Sequence, residues 1–423
     1  MISSVYLNGT SFWNPVKSQR TSFLSSFLIQ RKSVIFLAFL LMSCGHAAKP
    51  EPTPAPAVAT PFPDAAPQSR EANDAARFLA GLPGNPGSAF SELEQDEAWK
   101  VHKKELDRMW SKTESSGLTA MRDFQAKELN SEKVRKSTLF YPFSGPDALM
   151  MNVFFPYNST YVMVGLEPPG TLPTPKQFGK KKNLSEQLAA ERNTVNDVLG
   201  RSFFITQYMD RQFRGQVTDG LFQPIIHLLV RTNHTILGFR YVRIDDNGKV
   251  VEREAVTAAG APKVTNRGVE VDFSDDASHA VHRLYYFSTN IADDHLKDNK
   301  GFTEFVPQLK GMTTYFKATS YMTHRPEFSI IRNLVLDGSS AVLQDDSGLP
   351  YKLYTDPPWH VQLYGNYDKP IRPFSWLEQK DLRKAYETSG PKPLNFHIGY
   401  GLARLPSNLL FATRQDVAVQ AKK

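Results

Sequence analysis

One cysteine, Cys44, in a chain of 423 residues is the feature that most constrains the fold, because no intramolecular disulfide can staple it and stability must come from packing. Composition allows this. With 41% hydrophobic and 12% aromatic residues, a chain of this length can bury one large core or two modest ones. A lone cysteine is usually a small buried hydrophobe. Cys44 instead lies between an apolar run and a proline-rich tract, where the sequence offers no core to receive it.

The apolar run, residues 34–41, follows the basic pair Arg31-Lys32 and is short of the ~20 residues a spanning helix needs. A basic region, a short apolar region and a small residue before a cleavage point describe an export signal. Leu41-Met42-Ser43-Cys44 resembles the lipobox of bacterial lipoproteins processed by the type II signal peptidase, with Met42 departing from the usual small or aliphatic residue. The resemblance implies that residues 1–43 are a leader and that Cys44 is lipidated, anchoring the chain to a lipid bilayer. The first 30 residues are polar and Ser-rich and fit a true start near Leu28 or Ile29. By the same analogy, Gly45-His46 lacks the aspartate that retains lipoproteins at an inner membrane, so the outer membrane is the preferred location.

The formal charge of +7 belongs to the whole chain; Lys17, Arg20, Arg31 and Lys32, with no acidic residue among them, lie in the leader, so removing these four leaves +3. That ordinary balance argues against a nucleic-acid partner, which requires a clustered basic face. The compact basic run Lys180-Lys181-Lys182 reads as a solvated loop.

Residues 44–70 read as the lipidated cysteine and a tether. Residues 49–69 contain seven prolines among Ala, Thr and Val, a composition that stays extended and at ~3 Å per residue spans up to ~60 Å. Helical periodicity then covers residues 71–135, where Trp99, Trp110 and Phe124 recur at the spacing of a core-facing stripe. Residues 136–423 read as an α+β domain with a mixed, mainly antiparallel sheet and interspersed helices, and 71–423 together also fit one unit.

Within that region, strands are expected at 148–156 and 161–166, and helices at 183–199 and 217–230. A hairpin is expected around Asp246-Asn247-Gly248, an Asn-Gly turn, and a second between residues 268–273 and 280–288. Further helices are expected at 302–309, 312–323, 328–336 and 377–388, and strands at 340–343, 360–364 and 395–398.

No nucleophile elbow, phosphate loop, dinucleotide fingerprint, His-Glu-x-x-His or Cys-x-x-Cys occurs in the sequence, so it implies no cofactor. Two turn-rich segments stand at expected strand ends, Phe140–Asp147 and Leu343–Pro350, where rigid scaffolds present reactive groups. Ser144 and Asp147 in one, with Asp345, Asp346 and Ser347 in the other, are the candidate catalytic residues, as acid, base or metal ligand. The same residues also suit plain turns. Gly165-Leu166-Glu167-Pro168-Pro169-Gly170 reads as a sharp reversal. Of the histidines, His279 and His282 fall on opposite faces of an expected strand. His295, near Asp294 and Asp298, is the best metal candidate.

The strings Tyr141–Asp147, Gly165–Gly170 and Leu343–Pro350 also resemble a group of uncharacterised bacterial exported proteins and lipoproteins. This implies a cell-envelope setting and carries no activity with it. The expectation is a membrane-anchored envelope lipoprotein with a binding or assembly role, its partner an envelope protein or a wall polymer. The alternative is a periplasmic or extracellular hydrolase using carboxylates of the strand-end loops. Convergence of the two loops on one pocket with a buried carboxylate favours the enzyme, and separation on the surface excludes it.

Overall fold

A computed structural model describes residues 61–178, 184–201, 219–253, 266–355, 358–402 and 407–415. The chain divides into two units, Met1–Ala57 and Val58–Lys423, and the described residues belong to the second. The leader, Cys44, the first part of the tether and Lys180–Lys182 lie outside the described residues.

The fold is α+β. Its frame is one mixed sheet of ten strands: β1 (Leu139–Tyr141), β2 (Thr160–Gly165), β3 (His234–Ile244), β4 (Val250–Glu252), β5 (Arg267–Asp275), β6 (Val281–Ser288), β7 (Met312–Phe316), β8 (Ser339–Gln344), β9 (Trp359–Gly365) and β10 (Asn408–Arg414), ordered β4-β3-β5-β6-β2-β1-β7-β8-β10-β9. The five central strands β6-β2-β1-β7-β8 are parallel. Antiparallel wings flank them, β4-β3-β5 on one side and β10-β9 on the other.

Helices cover both faces of the sheet, and each face has its own apolar layer. On one side lie α1 (Arg70–Leu79), α2 (Glu97–Thr113), α3 (Thr119–Glu128), α4 (Glu132–Lys136), α5 (Ala148–Phe154), α6 (Leu184–Arg201) and α7 (Phe222–Arg231), whose side chains join Leu139, Tyr141, Met163 and Tyr286 in the first layer or pack on its flank. The second layer joins Phe140, Val162, Phe287 and Val342 to α8 (Asp293–Leu296), α9 (Lys300–Phe305), α10 (Ser329–Gly338) and α11 (Lys380–Thr388). Sequence signals set these ends. Ser69 caps α1 by accepting from Ala72 N at 3.2 Å, and Gly81 just past the helix has φ +63°, a conformation open to glycine.

Both expected hairpins form, β3-β4 and β5-β6. Four expectations are corrected. Residues 148–154 are helix α5, not a strand, because Asp147 accepts from Met150 N at 3.1 Å and caps a run of Ala, Leu and Met that forms helix readily. Residues 312–316 are strand β7, not the start of a helix. Every residue of β7 is buried, and a strand covered on both faces shows no alternation to read. Residues 395–398 form no strand, and β10, which pairs with both β8 and β9, had no counterpart in the reading of the sequence.

The fourth correction concerns the tether, whose last residues are docked on the body. Pro61 O accepts from Val250 N at 3.1 Å, the Phe62 ring stacks on Tyr285 at 4.7 Å, and Ala66 N donates to Asp272 at 2.8 Å. Gln68 bridges to Gly238, where a Cβ would stand 2.2 Å from Pro67 O. The prolines keep this segment extended. It forms a strap over β3, β5 and β6, where the antiparallel wing meets the parallel centre.

Candidate functional site

The strand order itself creates a crevice. From β1 the chain returns to β2 on one side of it, and from β7 it returns to β8 on the other, so the loops leaving the C-terminal ends of β1 and β7 diverge. Open parallel sheets bind ligands at such reversals. Here a cavity of about 150 Å³ opens at the strand ends. Its apolar wall includes Phe143, Val164, Leu166, Met322 and Phe328, and its polar wall includes Glu167, Asn290 and Lys317.

Lys317, the first residue after β7, joins the crevice to a buried polar cluster. Its side chain is 2% exposed, and Nζ donates to Asp147 Oδ2, the two forming an ion pair. Asp147 also accepts from the Tyr141 hydroxyl at 2.9 Å while capping α5. One carboxylate thus holds a helix, a strand end and the lysine.

Beyond Lys317 the backbone turns through three left-handed residues, Ala318 (φ +51°), Ser320 (φ +54°) and Tyr321 (φ +53°). Such conformations are costly in residues other than glycine and persist where the surroundings enforce them. The second candidate loop supplies that enforcement. Asp345 Oδ2 accepts from Ala318 N at 2.7 Å, and Ser347 Oγ accepts from Thr319 N at 2.8 Å. Asp346 accepts from the Tyr321 hydroxyl and, at 3.0 Å, from Asn408 Nδ2. Tyr400 closes the other side, its hydroxyl donating to Ala318 O at 3.0 Å.

Burial pushes Asp345 up from the usual carboxylate range despite its hydrogen bonds to Ser347 and Ala318. Burial, and then the neighbouring Asp345, push Asp346 up to about 7. The cluster sets one cation, Lys317, against Asp147, Asp345 and Asp346.

The structure therefore brings Asp147, Asp345, Asp346 and Ser347 together around the β7 loop. None of the four lines the crevice, whose wall is formed by Lys317 and the loop they hold. Ser144 is buried in the turn after β1, its hydroxyl donating to Gly145 O at 3.2 Å. The metal candidates do not converge. His295 Nδ1 lies 2.8 Å from Asp294, Asp298 lies in the turn after α8, and neighbouring Asp293 accepts from Ser329 N and Ile330 N at the start of α10. Among the described residues no three such side chains are placed to share an ion.

Lys317 escaped the reading of the sequence because it fell inside an expected helix. The signal present was Thr313-Thr314-Tyr315-Phe316, β-branched and aromatic residues that favour strand, with a lysine at the strand end. Glu167, in the expected reversal Gly165–Gly170, lines the crevice, and its carbonyl accepts from the Tyr286 hydroxyl at 2.7 Å.

The chain matches no protein-family model, no curated protein and no solved structure. The functional reading rests on the site itself.

Proposed function

We propose that the chain is a cell-envelope lipoprotein, held in a bilayer through acylated Cys44 with the outer membrane preferred, whose body binds a small, largely apolar molecule in the crevice. The observation that carries the binding reading is the buried Lys317–Asp147 pair beside an apolar cavity at the strand-order reversal. Ligand sites combine an apolar wall with a few fixed polar groups, and this site has that composition. Among the described residues no helix is long and apolar enough to cross a membrane. An envelope protein or wall polymer is the macromolecular partner that such a location supplies.

The hydrolase reading gains from the convergence of the two loops. Binding is preferred because Asp147, Asp345 and Asp346 face inward and spend their oxygens on the protein's own donors, leaving no carboxylate of the two loops on the cavity wall.

A thermal-shift panel of small alcohols, acids, amines and carbonyl compounds tests this, comparing the wild type with Leu166→Trp. Leu166 lines the crevice and is 56% exposed, so the larger ring narrows the mouth without disturbing the core. Stabilisation by a panel member that Leu166→Trp abolishes supports the reading; equal shifts in both proteins, or none, refute it. Cys44→Ala tests the anchor separately, and its loss from the membrane fraction is the expected result.

A further inference from the structure

The Lys317 ammonium has three N–H donors, and among the described residues it has one acceptor, Asp147 Oδ2. Buried polar groups ordinarily have their capacity met. A protonated imine at the same nitrogen carries one N–H, which matches the one acceptor and keeps the positive charge beside the Asp147 carboxylate. Resting on the binding reading above, we propose that the crevice captures a small aldehyde or ketone with an apolar body as an imine on Lys317.

The surroundings supply what the reaction requires. Asp147 is fixed by Tyr141 and by Met150 N, and it accepts a proton from Nζ, leaving a neutral amine. The nitrogen lone pair then bonds to the carbonyl carbon, whose π electrons move to oxygen. That oxygen takes the second Nζ proton and gives a carbinolamine. Asp147 returns its proton to the hydroxyl, the C–O bond breaks, and water leaves as the C=N bond forms. Three protons on the ammonium become one on the iminium and two in water. No oxidant or reductant is needed.

Charge also selects this ligand class. Asp147 already pairs with Lys317 and Asp345 lies within reach of its charge, so an anionic ligand would compete with carboxylates already there, whereas an uncharged carbonyl compound does not. Its body fits against Phe143, Val164, Leu166 and Phe328.

The test treats the full chain with benzaldehyde and sodium cyanoborohydride, which reduces the imine to a stable benzylamine, and maps modified lysines by peptide mass spectrometry. Lys317 is expected to react about tenfold or more faster than Lys104, an exposed lysine on α2, because a fixed base accelerates the proton transfers. Asp147→Asn retains a residue that caps α5 and is expected to slow labelling of Lys317 while leaving Lys104 unchanged. Benzyl alcohol, which lacks the carbonyl, is expected to raise the melting temperature of the wild type and to slow labelling of Lys317. Labelling of Lys317 no faster than Lys104, with benzyl alcohol still stabilising the protein, overturns the imine and leaves the binding reading standing. Failure of both compounds to stabilise the protein or modify Lys317 overturns both.

Discussion

The parallel centre and the strapped antiparallel wing both bury ion pairs, and they balance them differently. In the wing Arg240 donates to both oxygens of Glu270 at 3.0 Å, and Arg283 donates to Asp272 at 2.7 and 3.3 Å. Two cations meet two carboxylates, and the strap closes over them, Pro63 O accepting from Arg283 at 2.8 Å. At the centre Lys317 pairs with Asp147 and acts on buried Asp345, with Asp346 beside them bonded to Tyr321 and Asn408, and the lysine borders a cavity. Paired, balanced charge is what a structural tie needs. A lysine with one carboxylate partner beside open space is what a binding site tolerates, because the ligand completes it.

Breaking either region at its charge should produce the largest effects. Lys317→Met leaves Asp147 buried without its cation and is expected to cost about 3–5 kcal/mol, measured by urea denaturation. The double variant Lys317→Met/Asp147→Asn should recover most of that loss, since Asn still caps α5 and no charge is stranded. If the double variant is as unstable as the single, the pair is not the unit described here.

The strap provides the next effect. Phe62→Ala removes a half-buried ring from Tyr285 and should cost roughly 2 kcal/mol. Amide exchange should quicken in residues 61–69 while the crevice loops keep their protection. Protection lost equally in both regions would mean that wing and centre are not separable.

The pH response sharpens the contrast. Asp346 is held at about 7 in the folded protein against an ordinary value of 3.8, so between those values the unfolded chain has released a proton that the folded one retains. Stability from this group is lost as pH rises from about 4 to about 7 and is flat above. Asp346→Asn lacks the titration, so the stability difference, variant minus wild type, should grow in favour of the variant across that window. A difference that shrinks with rising pH would contradict the burial assigned to Asp346.

The smallest effect concerns the left-handed turn. Ala318→Gly relieves a residue at φ +51° and should stabilise the protein by about 0.5–1 kcal/mol. A loss of stability would show that Ala318 is unstrained in this turn.

Legibility divides along the same line as the chemistry. The wing was readable, because its hairpins turn at Asn247-Gly248 and Asp275–Ala277 and β3 alternates buried and half-buried residues along much of its length. The two strand-end loops were also found, through their density of Asp, Ser, Gly and Pro. The centre was not readable, because β7 and α5 are buried on all sides, where a continuous apolar run fits strand and helix equally. Lys317 was lost with β7. The strap was missed for a different reason, since its prolines mark an extended chain correctly but do not tell a free tether from a docked one.

The account turns on Lys317 as the group that meets a ligand in the crevice, and the most direct measurement follows the ζ-nitrogen resonances of the lysines while benzyl alcohol or benzaldehyde is added to the isotope-labelled full chain. The Lys317 resonance, assigned by its loss in Lys317→Arg, should move with either compound, and Leu166→Trp should suppress the change. A Lys317 signal that stays fixed while exposed lysines move, or that moves equally in Leu166→Trp, would contradict the account.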